Sequence, residues 1–396
     1  MNFVFISPHF PHTYWNFCER LRRSGVNVLG IGDAPYDTLE SGLRFALTEY
    51  YRVDSLEDYD QVYRAVAFFA FKYGKIDWLE SNNEYWLEQD ARLRTDFHIT
   101  TGVDSKEVAA FKSKSGMKAF YAKAGVPTAR CQKVTTLAAA KRFLTKVGYP
   151  VIVKPDNGVG AAATSKIADE QALAAFFNDL PAVPYVMEEF VEGDLFSYDA
   201  IIDSRCDPLF ESAAFFPVQV MDSVNDQLDF GYYVLSELPP ALAEAGRATV
   251  RAFGARSRFV HLEFFRLRKA KKDLGKKGDF VGLEVNMRPA GGYSPDMMNY
   301  AHSTDVYQIW ADMVASDSRL LPPPESEQVC VYAARRDCHQ YRYSEREIAV
   351  RYGGIIVMQE RMPDIWQGAM GNQMYMAKVP DETAAQEFIR FIQEKA

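Results

Sequence analysis

Two segments of this chain alternate so regularly between apolar and functional side chains that they constrain how its central part folds. In Val281-Gly-Leu-Glu-Val-Asn-Met-Arg288, Glu284, Asn286 and Arg288 fall on one face of a strand, and Leu283, Val285 and Met287 on the other. Phe259–Arg266 alternates too, with His261 and Glu263 sharing a face. Between them, Leu267 to Asp279 is rich in Lys and Arg and holds Gly275 and Gly278 near its end. The pattern predicts an antiparallel hairpin with a solvated basic tip, and such a hairpin sets Glu263 beside Glu284. Two carboxylates in one site repel unless a cation bridges them. Hard oxygen donors suit Mg²⁺, which binds through one or two protein groups plus substrate phosphates. Arg288 suits a phosphate or carboxylate. Either strand alone also reads as a solvated face; the second strand turns the balance towards a metal–nucleotide site.

Earlier in the chain, Pro150-Val-Ile-Val-Lys154 reads as a short apolar strand delivering a lysine to a loop of small residues. Gly158, Gly160 and Ala161 lie in that loop, where successive backbone amides can cradle phosphate oxygens. Gly158–Ala163 also fits a dinucleotide fingerprint, but that motif must open a helix. Here the loop runs into Thr164–Ala168, a second strand, and only then does Asp169 cap a helix from Glu170. The chain has no Walker-type GxxxxGK[ST]. The loop therefore reads as a flap between strands, and ATP is expected rather than NAD. A third segment, Tyr185–Gly193, is an apolar strand ending in Glu188, Glu189 and Val191, which suits an adenine ring held between apolar side chains and read at its edge.

In this order the parts resemble the ATP-grasp superfamily, from about Lys106 to Trp310. The resemblance implies phosphate contacts for Lys114, in Phe111–Pro127, and for Lys154, with Gly158–Ala163 as the flap. It implies an adenine-reading hinge at Glu188, Glu189 and Val191. It makes Glu263, Glu284 and Asn286 the ligands of Mg²⁺ (or Mn²⁺), and gives Arg288 to phosphate and intermediate. Three positions depart from the family pattern: alanines at 161–163 where glycine and serine are usual, Ser113 before the first lysine, and Leu195 where a ribose-binding glutamate is usual. Asp194 or Glu192 is the expected substitute for that glutamate. Pro289–Tyr293 follows Arg288, so Gly291, Gly292 and Tyr293 are the expected wall of a substrate site.

The 396 residues predict several domains in an α/β and α+β arrangement. A Rossmann-like, parallel-sheet domain is expected over 1–105, where strands and helices alternate. The small ATP-grasp lobe follows over 106–192, the large lobe over 193–320, and a small α+β segment after Leu321-Pro-Pro-Pro324 over 321–396. His9 and His12 follow the first strand, where such sheets place ligands; loop histidines are more often incidental. A formal charge of −8 excludes the basic footprint of a nucleic-acid binder. Five cysteines without CxxC spacing fit a reducing cytoplasm and no zinc site. No apolar run reaches membrane-spanning length, and the N-terminus enters a strand with no signal peptide. A homodimer is compatible with this composition.

The resemblance implies an ATP-dependent carboxylate–amine (or thiol) ligase that works through an acylphosphate, with an amino acid or other small carboxylate and an amine as its small-molecule partners. Two alternatives stand beside it: a bicarbonate-activating enzyme like half of carbamoyl-phosphate synthase, and a nucleotide-binding regulatory protein without turnover.

Overall fold

The computed structural model describes residues 1–157, 163–217, 228–323 and 327–396. Its first part is a parallel sheet in the order Glu49–Arg52, Asn27–Gly32, Asn2–Ile6, Trp78–Glu80. Helices Trp15–Arg23, Tyr59–Tyr73 and Leu87–Asp96 connect or follow these strands as the alternation predicts. The Asp58 carboxylate caps the second of them by accepting from the Asp60 and Gln61 amides. Glu49–Arg52 has no counterpart among the expected strands. It is a four-residue edge strand, polar at both ends and only partly buried, so it carries no apolar run to announce it. Phe3 and Phe5 pack edge-on against Trp310 of helix Val306–Ser316, with ring centroids 5.6 and 6.4 Å apart. That contact seats the parallel sheet on the later part of the chain.

A second sheet, antiparallel, runs in the order Cys131–Lys133, Tyr185–Glu189, Val151–Pro155, Ser165–Ile167. The expected hairpin is present: Val151 faces Ile167 and Val153 faces Ser165. Asp169 caps helix Glu170–Asn178, its carboxylate accepting from the Ala172 amide at 2.8 Å. Gly158, Gly160 and Ala161 of the expected flap lie outside the described residues.

The third sheet has eight antiparallel strands among the described residues. Their order is Phe280–Asn286, Arg258–Leu267, Gly193–Ile202, Pro208–Phe216, Gly231–Val234, Val329–Arg335, Gln373–Val379, Ile356–Arg361. The α+β tail expected from 321 onwards thus continues the sheet of the large lobe. Val329–Arg335 is buried along its whole length, which requires partners on both edges. It takes Gly231–Val234 on one side and Gln373–Val379 on the other.

Candidate active site

The first two strands of the large sheet pair as the alternation requires, with Glu263 directly opposite Glu284 and His261 opposite Asn286. Directly opposed residues place their Cβ atoms about 5 Å apart, so two carboxylates share one space. One detail differs. A bulge sets Phe264 against Gly282, leaving Leu283 as the extra residue. Leu283, expected on the core face with Val285, therefore lines the cavity beside Glu284.

Opposite these strands stands the small sheet with helix Lys114–Ala124. Ser113 caps that helix by accepting from the Gly116 amide at 3.0 Å. Asp156, two residues past Lys154, accepts from the Ser115 amide and hydroxyl at 2.8 and 2.9 Å. A carboxylate at a helix start is stabilised by the N-terminal dipole. It also locks the helix onto the end of the Lys154 strand, so both lysines reach the same space.

The cavity between the two sides holds about 330 Å³, within the usual range for small-ligand sites. Lys114, Lys154, Glu188, Glu189, Val191, Glu263, Glu284, Asn286, Arg288, Gly291 and Gly292 all line it. Lys114 Nζ lies 2.9 Å from Glu284 Oε1, and Arg288 donates to the Pro289 carbonyl at 2.7 Å. Gly292 is left-handed, with φ of 62°, and an added Cβ would sit 2.5 Å from Met370 Cε, so the wall needs glycine there.

Several of the expected site residues have partners of their own. Glu188 lies between Lys118 Nζ and Lys154 Nζ, 2.6 Å from each. Burial opposes its charge, but the two ammonium groups more than reverse this and hold its pKa at about 2. Glu189 is bound by Arg130 at 2.7 Å and by Lys271 at 2.8 Å. Both hinge carboxylates are thus engaged with cations instead of standing ready for a base edge. The basic tip is solvent-exposed over most of its length, as expected, and makes surface ion pairs besides: Arg268 reaches Asp194 at 2.7 Å and Lys269 reaches Glu192 at 2.6 Å. Asp194 and Glu192 do not line the cavity, and Leu195 does. Tyr293 is also displaced from its expected place. It is buried, its hydroxyl donates to Glu360 at 2.6 Å, and its ring packs on His12 and Trp366. Ser294 lines the cavity instead. His9 sits 3.2 Å from Asp33, and neither His9 nor His12 lines the cavity.

Sequence reasoning missed three supporting residues. Lys118 lies one helical turn past Lys114, and that i,i+4 spacing was its signal. Asp156 follows Lys154-Pro155 immediately. Asp199 sits on the polar face of Gly193–Ile202, opposite His261. Its carboxylate takes the Ser197 hydroxyl at 2.6 Å and His261 Nδ1 at 2.7 Å, while His261 Nε2 lies 3.3 Å from Glu263. Burial pulls the His261 pKa down, but Asp199 and Glu263 together lift it to about 9. The imidazolium so formed, with Arg288 and Lys154, outweighs the burial of Glu263 and holds that carboxylate ionised.

Among the described residues no three His, Cys, Asp or Glu side chains form a complete metal cage. Glu263, Glu284 and Asn286 offer side-chain oxygens to one side of the cavity. That is the donor set Mg²⁺ accepts when phosphates and water complete its shell. A more open depression of about 800 Å³ lies elsewhere, but its Arg247 and Arg251 are paired with Glu211 and Asp207.

The phosphoribosylglycinamide synthetase ATP-grasp (A) domain family matches residues 112–217. Alanine–anticapsin ligase of Bacillus subtilis is 23% identical over 298 residues, covering 67% of this chain and 59% of that protein. The chain thus spans less than two thirds of that relative's length. An L-amino acid ligase from Bacillus licheniformis superposes with a TM-score of 0.70 at 14% identity, over 98% of this chain and 96% of that one. The biotin carboxylase domain of Hydrogenobacter thermophilus 2-oxoglutarate carboxylase, solved with MgADP and bicarbonate, superposes with a TM-score of 0.68 at 17% identity, over 98% and 88% of the two chains. The match over residues 112–217 and these superpositions show that the chain has the fold of the ATP-grasp ligases, with the matched segment spanning the small lobe and the start of the large sheet.

Proposed function

We propose that this chain is an ATP-dependent, ADP-forming ligase that joins a small carboxylate, an amino acid being the first choice, to an amine through an acylphosphate. The observation that carries this reading is the facing of Glu263 and Glu284 across one strand pair, with Lys114, Lys154 and Arg288 around the same cavity. In this reading the adenine rests among Ala129, Val191, Val281 and Leu283, and the phosphates extend towards the lysines. Held by Glu263, Glu284 and Asn286, Mg²⁺ would supply Lewis-acid neutralisation of phosphate charge.

The chain's own groups would do the rest. Lys114 exchanges Glu284 for a phosphate oxygen, leaving that carboxylate to the metal. A substrate carboxylate oxygen attacks the γ-phosphorus in line and ADP leaves; the amine nitrogen then attacks the acyl carbon, phosphate leaves, and the amine loses its proton to solvent. Such transfers need positioning and electrostatic stabilisation rather than a covalent nucleophile. Arg288 stands where it can orient the acyl phosphate, with Gly291 and Gly292 allowing close approach. We assign 1–105 to a supporting domain, 106–192 and 193–320 to the two lobes, and 321–396 to the strands that complete the large sheet. A panel of amino acids, singly and in pairs, assayed for phosphate release tests the reading. Phosphate and ADP in equal amounts with a coupled product support it, and AMP with pyrophosphate rejects it.

A further inference from the structure

The face of the large sheet that meets the cavity is arranged in rungs. Phe216, Leu195, Phe265 and Val281 stand side by side across four strands, and all four line the cavity. The next rung on that face is Ala214, Ser197, Glu263 and Glu284. Rungs on one face are two residues apart, about 7 Å along the strand. Val281, packed with Ala129 and Val191, is the base end of the apolar rung, and Phe265, Leu195 and Phe216 continue it across the sheet, one rung from the carboxylates.

We propose that this apolar rung is the floor beneath the nucleotide's sugar, with Leu195 as the residue that sets sugar specificity. The site then reads base and phosphates but not sugar hydroxyls, and takes 2′-deoxyadenosine nucleotides nearly as well as adenosine nucleotides. This rests on the ATP reading above. The two carboxylates nearest in sequence are committed elsewhere. Successive strand residues face opposite sides, so Asp194 points away from the face that Leu195 occupies. It is held there by Arg268 at 2.7 Å and Arg266 at 3.4 Å, and Glu192 is held by Lys269 at 2.6 Å. The hydroxyl of Tyr232, another lining residue, is paired with Ser294 Oγ at 2.9 Å. A site that makes no hydrogen bond to a hydroxyl leaves nothing unpaired when that hydroxyl is missing, so it cannot strongly reject the analogue.

Calorimetric titration of the full chain with ADP and with 2′-deoxyADP, each with Mg²⁺, tests this directly. The two dissociation constants are expected to agree within about threefold, whereas a site built to bond the hydroxyl separates them by about tenfold or more. Leu195→Glu, or Leu195→Gln should the charged side chain prevent folding, places an acceptor on the rung and should open the ratio in favour of ADP. A wild-type preference for ADP of about tenfold or more overturns the proposal while leaving the ATP site intact. Binding of neither nucleotide rejects the ATP reading itself, and the sugar floor with it.

Discussion

The two sides of the cavity carry opposite charge and are built by different means. On one side Glu263, Glu284 and Asn286 stand on neighbouring strands, aligned by backbone register alone. On the other, Lys114 and Lys118 come from a helix and Lys154 from a separate sheet, and their partners lie far away in sequence. Register sets where the carboxylates stand, and Lys114 and His261 then engage their side chains. The lysines are instead held by ion pairs, so their side of the cavity depends on charge balance for its stability as well as for its chemistry.

The strongest way to break that contrast is to remove Glu188. Glu188→Gln leaves two buried ammonium groups without a counter-charge, and breaking a buried pair costs about 3–5 kcal/mol. Urea unfolding should show this loss, and an unchanged midpoint would mean that the lysines do not need the carboxylate. The same residue gives a pH signature. Its folded pKa of about 2 lies below the ordinary 4.5, so its stabilisation is present above 4.5 and fades as pH falls towards 2. Wild type should lose stability across that window, and Glu188→Gln should lose less.

Glu284→Gln removes the charge paired with Lys114, so it should cost some stability, less than Glu188→Gln with its two lysines, and it should lower turnover at least about tenfold, or roughly 1.4 kcal/mol of barrier. Thermal melts beside steady-state rates separate the two effects. Asp199→Asn acts one layer further out, through His261 on Glu263. Partners behind metal ligands typically matter about tenfold or more, so the Mg²⁺ concentration needed for half-maximal rate should rise about that much. Restoration by raised Mg²⁺ distinguishes positioning of a metal ligand from simple damage to the core. The smallest effect should come from the exposed staple. Arg268→Ala removes a partly solvated pair and should cost under about 1 kcal/mol in a melt.

The same difference explains what could be read in advance. Period-two alternation showed the facing strands and four site residues, because sheet register is local information. The bulge that brings Leu283 into the cavity is not visible in alternation, since it depends on how Glu263 and Phe264 pair across the hairpin. The resemblance located Lys114 and Lys154, but not that Glu188 binds Lys154. That pairing crosses the neighbouring strands Val151–Pro155 and Tyr185–Glu189, whose adjacency no local pattern announces, and the second partner, Lys118, arrives only with helix Lys114–Ala124. The ion pairs of Glu189, Asp194 and Glu192 were not legible, because they depend on how the basic tip, solvent-exposed over most of its length, lies along the strand after Glu189. Pro322–Pro324 looks like a linker, and no local pattern shows that Val329–Arg335 pairs with Gly231–Val234 across about a hundred residues, so the tail's place in the large sheet is not legible in the sequence.

Both sides of the cavity are expected to bind one metal–nucleotide complex. The most direct test is Mn²⁺ binding followed by electron paramagnetic resonance, with and without ATP, in wild type and Glu284→Gln. Without nucleotide, Glu284 is paired with Lys114 and Glu263 with His261, so Mn²⁺ alone should bind weakly. ATP should bring a bound Mn²⁺ signal in wild type, and Glu284→Gln should reduce it strongly. Equal Mn²⁺ binding in both proteins, or binding indifferent to ATP, would contradict the account.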